Sequence, residues 1–84
     1  MSGRPHDALL RFDLADERRA RVVADAVRVE EAGVAAVDDR SRTTVDREGA
    51  TVVVRVDAAD LVALRAACGT WTRLVGVAER TVGM

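Results

Sequence analysis

The side chains able to do chemistry are few, and none has a partner at a useful spacing. His6 is the single histidine among 84 residues, and histidine is the side-chain type suited to general acid–base work near neutrality. It sits beside Pro5 in an opening segment, MSGRPH, that has no hydrophobic periodicity. Cys68, the single cysteine, cannot form an internal disulfide. It falls on an apolar helical stripe, where a free thiol behaves as a small hydrophobe. Glu30 and Glu31, and likewise Asp38 and Asp39, place carboxylates at neighbouring positions. Neighbouring side chains diverge, so these pairs read as solvated charge and not as an acid and a base converging on a substrate. No metal-ligand spacing and no phosphate-cradling glycine loop is present. An enzyme is therefore the weakest reading, and no catalytic residue, metal or cofactor is expected.

Charge narrows the choice of partners. All 13 basic residues are arginine, and 14 acidic residues leave a formal charge of −1, so no overall field attracts a polyanion. Arg18, Arg19 and Arg21 cluster in the first helical segment, while Arg40, Arg42, Arg47 and Arg55 lie on or near a hairpin. They alternate with Asp and Glu, which makes a solvated surface the plain reading; a contribution to a larger RNA surface stays open beside it. Stand-alone RNA recognition lacks its usual tools. There is no GXXG clamp, and Phe12 and Trp71 are the only aromatic residues, too few for a stacking platform.

The elements that must position these groups follow from periodicity. A chain of this length builds one domain. Its apolar content is mostly Ala and Val, so each buried side chain removes little area from water and the core is thin. Such a domain gains stability by oligomerising or docking. Residues 1–6 form a flexible N-terminal segment ahead of a single domain over residues 7–84. DALLRFD, residues 7–13, alternates as a strand, with Ala8, Leu10 and Phe12 on one side and Leu9 and Arg11 on the other. Ala20, Val23, Ala26 and Val27 then mark a helix from about Ala15 to Val29, with Gly33 stopping it. Residues 31–39 are the least legible stretch. RTTVD and ATVVVRVD form an antiparallel hairpin around Gly49.

The last segment is predicted as a helix from about Ala58, capped by Asp57, with Leu61, Leu64, Cys68, Trp71, Val75 and Ala78 as its seam onto the sheet. Val62, Leu74 and Val77 lie off that seam, and Gly69 and Gly76 leave room for another helix. The predicted fold is α+β, in the order β-α-β-β-α, a three-stranded antiparallel sheet with two helices on one face. Leu9, Val45 and Val53 are expected on the uncovered sheet face, as contacts for a second copy. No apolar run has the length of a membrane span, and residues 1–30 have no signal-peptide core, so a cytoplasmic protein is expected.

The segment AADLVALRAACGTWTRLVGVAE, in which Asp60, Leu61, Leu64, Arg65, Ala66, Trp71, Arg73 and Leu74 carry the pattern, resembles the small dimerising subunit of the KEOPS (EKC) complex, the Pcc family. RSR at residues 40–42 agrees with it. The family usually has Asn where this chain has Gly69. The resemblance implies a non-catalytic subunit of the machinery that makes threonylcarbamoyl-adenosine in tRNA. It implies a homodimer that docks on the catalytic transferase subunit, reaches the kinase subunit indirectly and helps to hold tRNA. Leu61, Leu64, Arg65, Trp71, Arg73 and Leu74 then become the expected transferase contacts, and Arg40, Arg42, Arg47 and Arg55 the expected tRNA contacts. The rivals are a stand-alone RNA-binding module and an unrelated homodimeric domain.

Overall fold

A computed structural model describes residues 5–37 and 40–82, and within them every side chain outside residues 31–37. The chain runs β1 (His6–Asp13), α1 (Glu17–Val37), β2 (Ser41–Glu48), β3 (Thr51–Ala58) and α2 (Leu61–Val82). The strands form one antiparallel sheet in the order β1-β3-β2, and both helices pack on the same face of it. This is the α+β architecture predicted above. Asp38 and Asp39 lie outside the described residues, as does the side chain of Glu31. His6 already pairs with Ala58, so the strand begins inside the segment expected to be loose.

β3 is the central strand, paired on both edges, and its Thr51, Val52, Val53, Val54 and Val56 are β-branched side chains that fit a pleated surface. A two-residue loop, Gly49 and Ala50, joins it to β2. Gly49 has φ +61° and among the described residues no non-glycine residue has a positive φ, the pattern of a type II′ turn. Leu14 N–H donates to the Ala50 carbonyl at 2.8 Å, tying the end of β1 to the same turn.

That turn fixes which side each residue of β2 faces. Glu48 pairs with Thr51, so Val45 pairs with Val54, whose side chain lies under the helices. Val45 is accordingly 3 % exposed in the core and does not join Leu9 and Val53 on the uncovered face. Its expected place in a dimer contact is thereby corrected. The Val45 carbonyl, on edge strand β2, accepts a hydrogen bond from Arg28 Nε of α1 at 3.2 Å.

α1 starts where Asp16 accepts from Arg19 N–H at 2.8 Å. It buries Ala20, Val23, Ala24 and Val27; Ala26, expected in this stripe, is exposed instead. The helix runs through Gly33 to Val37. A mid-helix glycine costs only about 1 kcal/mol against alanine, too little by itself to end a helix.

α2 begins later than predicted. Asp57 belongs to β3, and Asp60 is the cap, accepting from Ala63 N–H at 2.7 Å. The seam onto the sheet is Ala63, Ala67, Trp71 and Val75, flanked by half-buried Leu64, Leu74, Ala78 and Val82. Leu61, expected in the seam, is 62 % exposed. Ala63, two positions on in the same turn, is buried, and at about 100° per residue Leu61 falls on the opposite side of the helix from it. Gly69 and Gly76 are both internal to an unbroken helix. An 18-residue window of α2 reaches a mean hydropathy of 1.2, the level of a weak membrane span, yet the sheet occupies its apolar seam.

Candidate functional site

Three surfaces hold the residues singled out above, and the structure sorts them differently from the sequence. On α2, Leu61, Arg65 and Arg73 are exposed and Leu64 and Leu74 are half-buried. Trp71 is wholly buried, the largest side chain in the core, and has no surface to offer a partner. Its Nε1–H has no hydrogen-bond acceptor among the described residues. The Trp anchors α2 on the sheet, and its type alone could not separate that role from an interface role, since both favour a large aromatic.

Between the two helices an open apolar groove of about 270 Å³ runs along the outer side of the helix layer. Val22 and Ala26 of α1 line one side, Leu74, Val77 and Val82 of α2 the other, with Glu30 at the rim. Val22 and Ala26 were not among the expected contacts. Their four-residue spacing was a usable signal, because with Val29 it leaves apolar residues on α1 outside the stripe that the core consumes.

The uncovered sheet face carries Asp7, Leu9, Arg11 and Asp13 of β1, Thr51, Val53, Arg55 and Asp57 of β3, and Arg42, Thr44, Asp46 and Glu48 of β2. Leu9 is 49 % exposed, but Val53 only 8 %. Arg11 Nη1 meets Glu48 Oε2 at 3.3 Å, and this pair joins the two edge strands across β3, over the end that holds Val53 and Thr51. Five carboxylates against three arginines make this face acidic, which disfavours a phosphate backbone.

The four arginines expected to meet RNA do not form one surface. Arg42 and Arg55 lie on the acidic sheet face. Arg47 is near the hairpin, on the register side of Val52, and its Nη1 donates to the Gly49 carbonyl at 2.9 Å. Five residues of strand, about 17 Å, separate it from Arg42. Arg40 forms an ion pair with Asp60 at the head of α2. The Ala63 amide, and after it Arg40, hold the Asp60 carboxyl below its ordinary 3.8. No group of three His, Cys, Asp or Glu side chains converges as a metal set among the described residues.

The helix layer, with its groove and its arginines, is thus the surface on which the sequence motif of α2 lies. A family model described as transcription factor Pcc1 matches residues 8–83, all of the helix layer and nearly all of the sheet. The chain belongs to the Pcc1 family. This is the KEOPS/EKC accessory-subunit family, so a role as a KEOPS subunit in the context of tRNA modification follows from membership. A search of curated proteins finds no match to the chain. Gly69 falls on the outward side of α2 and leaves the helix intact.

Proposed function

We propose that this chain is the non-catalytic dimerisation and scaffolding subunit of a cytoplasmic KEOPS complex, docking on the catalytic transferase subunit through its helix layer. The observation that supports this most is the apolar groove between α1 and α2, continued by exposed Leu61, Val62 and Val77 on α2. A soluble domain with a thin core gains little by leaving such surface in water, and helices of a partner cover it through ridges three and four residues apart. The kinase subunit is reached through the transferase. tRNA is held by the assembly, with Arg40 and Arg47 adding to a surface that the isolated chain does not form, while Arg42 and Arg55 stay on the sheet face. A second copy joins through the uncovered sheet face, with Leu9 at the contact.

Co-expression with the transferase subunit of the same genome tests this, by size exclusion with light scattering. A stable complex holding two copies of this chain is the expected result, and Val22→Glu with Val77→Glu should weaken it about tenfold or more while the melting curve of the free chain stays in place. Wild-type protein that elutes apart from the transferase at micromolar concentration would overturn the proposal.

A further inference from the structure

α2 carries a second period that the core does not use. Gly69 and Arg73 are four residues apart, and Gly76 and Arg80 repeat the pair seven residues on. In each pair the arginine Nη1 stands 3.5 Å from where a Cβ on the glycine would be. Helical side chains lean toward the N-terminus, and a bare glycine one turn back lets the guanidinium lie low against the helix. Arg65, eight residues before Arg73, shares this side.

All three arginines are exposed, and none pairs with a carboxylate among the described residues; Arg11, Arg19, Arg28 and Arg40 all do. Glu79 is the single acidic residue of α2, so the helix carries two positive charges in excess, three arginines less one glutamate. At 1.5 Å rise per residue the guanidinium anchors are about 12 and 10.5 Å apart along the axis. A helix lying alongside presents the same face every seven residues, at nearly that spacing. Exposed Val62 and Val77 flank the row. A phosphate backbone leaves them uncovered, whereas the apolar side chains of a protein helix cover them.

We propose that the outward face of α2 is a docking track for an amphipathic acidic helix of the partner, with Arg65, Arg73 and Arg80 each taking a carboxylate and Gly69 and Gly76 setting the close approach. This rests on the scaffold reading above and adds what the partner must carry: Asp or Glu at seven- to eight-residue spacing beside an apolar seam. The arginines select the partner and its register, and the apolar contacts supply most of the affinity.

The test uses the full chain and a designed helical peptide with a Leu seam and Glu at every seventh position beside it. An isomer with the same residues and the Glu positions moved to the opposite face serves as control. Titration at low and high salt should show the first peptide binding at least about tenfold more tightly than the isomer, with the difference shrinking in salt. Arg73→Glu with Arg80→Glu should remove that preference, and the Lys variants should keep most of it. Gly69→Leu with Gly76→Leu should raise the melting temperature, because glycine is a poor helix former, and still weaken peptide binding. Equal binding of the two peptides, binding of neither, or loss of unfractionated tRNA binding in place of peptide binding on charge reversal would each overturn the track. A chain carrying Arg73→Glu with Arg80→Glu that holds the transferase as tightly as wild type would sink the track and leave the scaffold reading standing. A preserved peptide preference with no transferase binding would do the reverse.

Discussion

At Gly49 one missing atom decides the hairpin. Its φ of +61° lies where a Cβ collides with the following carbonyl, so Gly49→Ala should destabilise the domain by about 1–2 kcal/mol in urea unfolding. Trp71 is a second residue whose effect is local and large. Trp71→Ala removes the largest buried side chain and should cost about 3–5 kcal/mol, enough to unfold much of so small a domain. Loss of partner binding in that variant would report unfolding, so exposed positions are the ones to probe. Asp60 adds a pH dependence whose sign is fixed. Its folded pKa lies below the unfolded value of 3.8, so its contribution is complete above that value and is lost as pH falls through the lower, folded one. Asp60→Asn keeps a capping oxygen and should flatten acid unfolding in that window, as read by melting temperature against pH.

Among the elements, the hairpin and the sheet it builds matter most. Because the two-residue turn pairs Val45 with Val54, Val45→Lys should abolish folding, whereas Thr44→Lys, one position away on the uncovered face, should leave the melt nearly unchanged. Circular dichroism on the two variants decides between the registers. The Arg11 and Glu48 pair links the edge strands, but both side chains are more than half exposed. A double-mutant cycle there should return a coupling of about 1 kcal/mol or less. Its larger consequence is geometric, since it leaves Leu9 as the main apolar contact that face can offer.

At the scale of the whole molecule, two surfaces of opposite charge lie back to back. The sheet face carries an excess of carboxylates, and the outward side of α2 an excess of arginines. The arginine side suits the acidic partner helix proposed above, whereas a second copy on the sheet face would have to set its arginines against the other copy's carboxylates, since like charges placed opposite one another repel. Leu9→Asp should therefore shift the chain toward monomer in light scattering without loss of transferase binding, while charge reversal on α2 should do the opposite.

What the sequence by itself determined is the kind and order of the elements. Alternation in DALLRFD, the β-branched run around Val53, the turn glycine and the apolar spacing of the last helix are local signals, and local sterics and burial act on them directly. Asp60, Leu61, Leu64, Arg65 and Trp71 likewise carried the family, because a motif is a property of sequence. Tertiary structure alone decided the rest. Val45 went into the core because register is counted from the turn, and one residue of offset exchanges the two faces. α1 ran through Gly33 because that glycine costs less than the helix around it gains. Trp71 proved to be anchor and not contact, and the four arginines of the hairpin region fell on separate surfaces. Each of these outcomes depends on which residues meet across the sheet and between layers, and that is settled by packing between segments far apart in the chain.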